Sequence, residues 1–179
     1  MAIDWIAAEV EAMAGQGRRV LAAEGKGAID IAGVRLSGRF DRIDRLAEGI
    51  GIIDYKTGKP PSAAAVRNGF SLQLGLLGLI AERGGFEDVR GTAGAFEYWS
   101  LAKRRDAFGY IDSPVDPEGK RDRIVTEDFT TLAAANFIAV VENWLTGGEP
   151  FTAKLVPDYA PYAEYDQLMR RDEWYGRDR

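Results

Sequence analysis

The sequence contains no cysteine and no histidine. Without cysteine the chain has no disulfides and no thiolate metal sites, which fits a reducing compartment. Without histidine it lacks the commonest general base and metal ligand. A metal site in this chain must therefore be built mainly from oxygen atoms, which favours magnesium, manganese or calcium over zinc.

Long apolar runs are also absent: none approaches the roughly 20 residues that cross a bilayer, and no signal peptide opens the chain. We therefore expect a cytoplasmic protein without a membrane partner. The net charge is −5, from 28 acidic and 23 basic residues, which argues against nucleic-acid affinity over the whole surface. A local basic groove stays compatible with this balance. The 179 residues are enough for one domain with a substantial core, and we expect a single domain over 1–179.

The spacing of apolar residues and the positions of glycine and proline predict a mixed α/β architecture. Three strands joined by short turns predict an antiparallel meander, with helices packed around the sheet. The predicted elements are a helix over 3–14, strands over 18–32 (broken at Gly25–Gly27), 34–46 and 50–56, a short helix over 63–68 capped by Ser62, a buried helix over 70–83, a strand over 92–100, a loop or loose hairpin over 103–125, a helix over 127–145 and an amphipathic helix over 161–174.

The third predicted strand ends in an unusual way. Ile50, Ile52, Asp54 and Lys56 share one face, because side chains alternate along a strand. A carboxylate and an ammonium thus continue a face that two isoleucines mark as buried. Buried charges are costly unless they are paired or hold a metal. The pattern therefore points to a site, although an Asp-x-Lys pair taken alone is most often a surface ion pair.

Two further polar residues strengthen this interpretation. Asp41 lies on the preceding predicted strand, so a short turn can bring its carboxylate next to Asp54. Gln73 interrupts the apolar helix, and we expect it to be buried within reach of Asp54 and Lys56. Two carboxylates, a divalent ion and a lysine suit phosphodiester hydrolysis, because the ion polarises a phosphoryl oxygen and the lysine offsets negative charge.

The run GRFDRID, followed by GIIDYKTG and QLGLL, resembles the RecB-like branch of the PD-(D/E)xK nucleases, whose motifs are GxxD, DxK and QxxxY. The stretches DRIDRL, GIIDYKTGKPPS and QLGLLGLIAERGGF are similar to the C-terminal nuclease domain of AddB-type repair proteins, as is the ending PYAEYDQLMRRDEWYGR. The resemblance is specific over about residues 24–86 and extends in part over 140–176.

The resemblance implies a restriction-endonuclease-like core and a Mg²⁺- or Mn²⁺-dependent DNA exonuclease, acting on single strands during double-strand break repair and recombination. Asp41, Asp54 and the backbone carbonyl of Tyr55 would hold the metal, with Lys56 and Gln73 as further catalytic residues. It also implies a bacterial helicase–nuclease complex, with DNA and the helicase subunit AddA as partners.

The chain departs from the family pattern in several respects. The QxxxY tyrosine is replaced by Leu77, and no residue matches the acidic or histidine ligand of the family's N-terminal helix, since Glu9 and Glu11 lie in a different context. We therefore expect a C-terminal fragment of a larger subunit, with a weakly bound metal, poor cleavage and Lys56 paired with Asp54 or Asp41. An iron–sulfur cluster, which some AddB domains carry on four cysteines, is excluded.

Several alternatives stay open at this point. The chain resembles a nuclease, yet it can be a catalytically inactive module that binds DNA or docks a helicase. A stand-alone nuclease related to CRISPR-associated exonucleases is a third option, weakened by the missing cysteines. Glu24 can approach the site from the first strand or be an exposed strand-end residue. The basic triplet Lys103–Arg105 is either a DNA contact or a solvated loop.

Overall fold

The structure, a computed structural model, describes residues 2–104 and 107–150. Its centre is a five-stranded mixed sheet in the order β1-β2-β3-β4-β5, with a second sheet of two short strands, β6 and β7. The strands are β1 (Arg19–Ile31), β2 (Val34–Arg45), β3 (Ile50–Lys56), β4 (Ala93–Arg104), β5 (Ala107–Asp112), β6 (Val115–Asp116) and β7 (Ile124–Val125). The helices are α1 (Ala2–Ala14), α2 (Ala63–Arg67), α3 (Gln73–Glu82) and α4 (Phe129–Val140), with 3₁₀ turns at Lys120–Asp122 and Thr126–Asp128 and a π turn at Val141–Leu145.

The strand pairing confirms the predicted meander, since β1, β2 and β3 are antiparallel neighbours. β4 then pairs with β3 in parallel, and β5 pairs with β4 in antiparallel direction. A parallel neighbour requires a crossover connection, and residues 57–92 supply it with α2 and α3. The predicted restriction-endonuclease-like arrangement of a mixed sheet flanked by helices is confirmed.

Two predicted strand details were wrong. β1 runs without a break through Gly25–Gly27, because these glycines allow close packing rather than a bend. A Cβ atom on Gly25 would lie 2.3 Å from the ring of Phe40, and one on Gly27 would lie 2.1 Å from the carbonyl oxygen of Gly85. The strand predicted over 92–100 extends to Arg104, and its pairing with β5 makes a hairpin of the first part of 103–125.

The helix predicted over 70–83 begins later, at Gln73, while its apolar body is buried as expected. It packs against α4, where a Cβ atom on Gly75 would lie 2.8 Å from Cβ of Ala133. Ser62 caps α2 as predicted, accepting a hydrogen bond from the backbone N–H of Ala65 at 3.2 Å. The helix predicted over 161–174 lies outside the described residues.

The two faces of the sheet bury different groups. The face toward α3 carries the main apolar core, which includes Ile43, Ile52, Leu74 and Phe96. On the other face Trp5 of α1 contacts Trp99 of β4 edge-on, with ring centroids 5.6 Å apart. α1 thus covers the face opposite α3.

Candidate active site

The carboxyl end of β3 carries a buried acid and a partly exposed lysine. Asp54 is 4% exposed and follows the fully buried Ile50 and Ile52 on the same face. Its Oδ2 atom lies 2.7 Å from Nζ of Lys56, whose side chain is 29% exposed. The predicted pairing of Lys56 with one of the two aspartates is therefore confirmed, and the partner is Asp54.

Gln73 contacts both members of this pair. Its Nε2 donates to Oδ1 of Asp54 at 2.7 Å, and Nζ of Lys56 donates to its Oε1 at 3.1 Å. The predicted proximity is confirmed, but the predicted burial is wrong, because the residue is exposed. The reason is local: α3 begins at Gln73, so the side chain lies at the rim of the sheet and not inside the apolar body of the helix.

Asp41 lies on β2, next to β3, at a point where the strand is irregular. Phe40 packs on Phe86 in the α3-side core, whereas Arg42 stacks on Trp99 on the opposite face of the sheet. Residues two apart share a face in a regular strand, so the alternation is broken at Asp41. The break lets Oδ2 of Asp41 accept the backbone N–H of Tyr55 at 2.9 Å. The prediction that Asp41 and Asp54 lie on adjacent strands is confirmed, and the backbone of residues 54–55 joins them.

The donor set at this end of β3 fits a hard divalent cation. Oδ2 of Asp54 is buried and receives no hydrogen bond of good geometry from the described residues, although Lys56 lies beside it as an ion-pair partner. Carboxylate and carbonyl oxygens are the ligands that Mg²⁺ and Mn²⁺ prefer. Asp41, Asp54 and the carbonyl of Tyr55 would hold such an ion, while residues 2–104 and 107–150 contain no cluster of three or more acidic or histidine side chains arranged around a metal.

The other candidate ligands do not join the carboxylates at the end of β3 in a metal-binding group. Glu9 and Glu11 belong to α1, which packs through Trp5 on the face opposite α3. Glu24 borders a surface cleft of about 370 Å³ together with Asp41, but it pairs with Arg39 at 2.7 Å and its side chain is 73% exposed. It is exposed as expected, but it stands within β1 and not at the strand end.

Two core residues on the α3 side complete the surroundings of the pair. Leu77 is buried and adds only apolar packing where the family motif has tyrosine. Tyr98 pairs in register with Asp54, and Nζ of Lys56 lies 5.7 Å from the centroid of its ring. Burial raises the pKa of Tyr98 to about 12; Ser71 opposes this shift by less than burial causes it, and the charges of Asp54 and Asp112 add smaller increases. The phenol is therefore neutral at physiological pH.

Sequence reasoning missed a second charged cluster on the opposite face. Asp44, with no exposed surface, accepts hydrogen bonds from Nε and Nη2 of Arg42 and from Nε of Arg18, all at 2.6 Å. Arg18 also donates to both oxygens of Glu97, at 2.7 and 2.9 Å. Burial alone would lower the pKa of Arg18, but the hydrogen bonds and charges of Glu97 and Asp44 outweigh it and raise the pKa. In the sequence, Arg42 and Asp44 stand two residues apart on β2 and therefore share one face of the strand, which could have indicated this cluster.

This second cluster is connected to the site through one residue. Nη1 of Arg42 donates to the hydroxyl of Tyr55 at 3.1 Å, and the Tyr55 ring packs edge-on against Trp99 at 6.0 Å. The backbone of Tyr55 bonds Asp41, so residue 55 touches both clusters.

In the described part of the chain, none of the helices is both long and apolar enough to pass through a bilayer. Comparison with protein families gives a match between residues 1–155 and the PD-(D/E)XK nuclease superfamily. No significant match was found among curated proteins or among solved structures.

Proposed function

The chain belongs to the PD-(D/E)XK nuclease superfamily, a family of nuclease-type hydrolases, and from that premise we propose that it is a Mg²⁺- or Mn²⁺-dependent deoxyribonuclease. Its active site would consist of Asp41, Asp54, Lys56 and Gln73. The observation that carries this proposal is the contact of Gln73 with both Asp54 and Lys56 at the carboxyl end of β3. Three polar side chains from two separate elements converge there, which simple surface ion pairing does not require.

A bound divalent ion would supply polarisation of the phosphoryl oxygen and a lower pKa for the attacking water. The chain's own residues do the rest. Asp41 fixes the backbone of Tyr55 through its N–H, and so holds the Tyr55 carbonyl in place. Gln73 orients the Asp54 carboxylate and the Lys56 ammonium at the same time. Because Lys56 is partly exposed, its ammonium can orient a water molecule or offset charge on the phosphate.

The finer proposal is an exonuclease that degrades single-stranded DNA in a bacterial, cytoplasmic helicase–nuclease complex for double-strand break repair. In this proposal the chain is the AddB-type nuclease domain, and AddA is the helicase subunit beside it. It is supported by the similarity of residues 24–86 to AddB-type chains. Co-purification of the chain with AddA, compared with an unrelated helicase, tests it.

A second candidate function is a nuclease-fold module that binds DNA without cutting it. Leu77 in place of the motif tyrosine favours this candidate. So does the small ligand set: within the described ranges, no third acidic or histidine side chain joins Asp41 and Asp54 in a group that could hold a metal.

A cleavage assay separates the two candidates. Labelled single-stranded DNA is incubated with the chain in Mg²⁺, in Mn²⁺ and in chelator, alongside Lys56→Ala and the control Lys26→Ala, which changes an exposed lysine on β1. We expect metal-dependent cleavage that Lys56→Ala lowers about a hundredfold or more, while the control keeps it. Binding without cleavage by the wild-type chain would favour the second candidate, and an active Lys56→Ala variant would refute the role of Lys56.

A further inference from the structure

A basic cleft lies at the same edge of the sheet as Lys56 and is not used by the chemistry described above. It has a volume of about 320 Å³ and is bordered by the loop after β3 and by the hairpin of β4 and β5. Its charged and aromatic members are Lys59, Lys103, Arg104, Tyr110 and Asp112. We propose that this cleft binds the phosphates and a base of the single-stranded substrate next to the scissile bond, an inference that rests on the proposed nuclease function.

The position of the cleft follows from the parallel pairing of β3 and β4. Lys56, the last residue of β3, stands opposite Ser100 in the parallel pair, so the loop after β3 and the last residues of β4 lie at the same end of the sheet. The buried hydroxyl of Ser100 donates to the carbonyl of Gly58 at 2.9 Å and ties the loop to β4. With a rise of about 3.3 Å per residue, Lys103 lies about 10 Å further along the strand than Ser100. A single strand of DNA bound at Lys56 therefore passes close to the cleft.

The charges in the cleft suit a polyanion. Lys59, Lys103 and Arg104 are exposed, and none of them takes part in an ion pair within the described ranges. Among the described residues that line the cleft, Asp112 is the one carboxylate, and Arg123 neutralises it at 2.9 Å. In a chain with a net charge of −5, three cations on one cleft, none of them in an ion pair with another described residue, make the local charge positive.

An irregularity in β4 creates this arrangement. The register of β4 against β5 shifts between Ser100 and Lys103, and as a result three consecutive residues, 102–104, border the cleft. A regular strand would turn alternate side chains away, whereas a bulge re-aims them.

An aromatic ring adds a feature that favours a single strand over a duplex. The guanidinium of Arg104 lies 5.0 Å from the ring centroid of Tyr110, which itself is partly exposed. Grooves that bind single strands combine cations that follow the backbone with aromatic or guanidinium planes on which bases stack. Lys59 and Lys103 would contact phosphates, and the Arg104–Tyr110 pair would contact a base.

The test measures binding and cleavage separately on the 179-residue chain. Binding of a fluorescent single-stranded oligonucleotide is followed by anisotropy in chelator, over a series of salt concentrations, and bis(p-nitrophenyl) phosphate reports chemistry on a small diester. The variant is Lys59→Gln with Lys103→Gln, and the control is Arg35→Gln with Arg83→Gln, two exposed arginines at the far turn of β1 and β2 and the far end of α3. Thermal unfolding verifies that both variants fold.

We expect the cleft variant to bind the oligonucleotide about tenfold more weakly at 0.1 M salt, with a salt slope smaller by about 1.4, since each single-strand phosphate contact contributes about 0.7. Hydrolysis of the small diester should stay at the wild-type rate, and the control should match the wild type throughout. If the cleft variant has the same affinity and salt slope as the wild-type chain, the proposed binding role of the cleft is refuted, while the nuclease proposal stays intact. A wild-type chain that binds through the cleft but never cleaves would refute the nuclease function and leave the cleft standing, whereas a wild-type chain that does not bind would overturn the cleft.

Discussion

Asp44 and Asp54 are both buried carboxylates on neighbouring strands, yet their surroundings differ. Asp44 has no exposed surface, and both of its oxygens accept hydrogen bonds from arginines, three in all. Asp54 has one oxygen bound by Gln73, while the other faces Lys56 and receives no hydrogen bond of good geometry from the described part of the chain. A carboxylate with arginine donors on both oxygens has little capacity left for a ligand, whereas one with an oxygen that lacks a donor has more. The comparison indicates a structural role for the first acid and supports the proposed binding role for the second.

Of the substitutions that test this comparison, Asp44→Asn should lower the free energy of unfolding the most. It would leave the charges of Arg18 and Arg42 without their shared partner in a buried site, and loss of one partner from a buried pair costs about 3–5 kcal/mol. We expect a decrease of that size in the free energy of unfolding in urea. Asp30→Asn, at an exposed position on β1, is the control and should change it little. A loss below about 1 kcal/mol would contradict a structural role for Asp44.

Alkaline pH should lower the stability of the folded chain through Tyr98, which lies on the same face of the sheet as Asp54. The pKa of this phenol is raised from 10.0 to about 12 in the folded chain, so the unfolded chain loses its proton first. The corresponding stability is fully present below about pH 10 and is lost as pH rises toward 12, by about 2–3 kcal/mol in total. Denaturation curves at pH 9, 10 and 11 measure it. Tyr98→Phe should remove this component and Tyr110→Phe should retain it; equal curves for all three chains would refute the assignment.

Tyr55→Phe tests whether the two clusters are coupled. The change removes the hydrogen bond from Arg42 to the phenol but keeps the backbone N–H that Asp41 accepts. We expect a loss of about 1 kcal/mol in stability and an unchanged kcat for DNA cleavage. A tenfold fall in kcat with a constant KM would show that the Arg42 cluster positions the site.

Asp54→Asn should have the smallest effect on stability, below about 1 kcal/mol. Lys56 is partly exposed, so its ammonium can turn to water, and an asparagine oxygen can still accept from Gln73. DNA cleavage should nevertheless be lost, because the charge would be needed for the metal. Chemical denaturation and the cleavage assay together measure this split. A variant as unstable as Asp44→Asn would place Asp54 among the structural acids instead.

Local patterns were enough to predict most elements of the fold. The spacing of apolar residues along 34–46 and 50–56 predicted two strands, and Ser62 predicted the start of a helix. The beginning of α3 was harder, because Leu72 precedes it without a capping side chain. The apolar run therefore gave no sign that Gln73 is its first residue. That shift of three residues separates a buried amide from one at the rim.

The relative positions of the candidate site residues were predicted well where these residues are close in sequence. Asp41, Asp54 and Lys56 belong to one meander, whose short turns fix their neighbours. The contact of Arg18 with Glu97 joins residues 79 positions apart, and no spacing in the sequence indicates it. The bulge in β4 that opens the basic cleft depends on pairing with β5, which also is not visible in β4 alone.

Because β3 pairs in parallel with β4, different parts of the proposed site form at different stages of folding. The meander of β1, β2 and β3 needs only short loops to close, whereas β4 joins the sheet after the whole segment 57–92 has been brought round. Closing a longer loop costs more conformational entropy, and non-local pairing is the slower step. The carboxylates and Lys56 can therefore assemble early, while the cleft with Lys103 exists only after β4 has docked. In a newly synthesised chain, the proposed catalytic carboxylates and Lys56 would come together before the cleft that is proposed to bind the DNA strand.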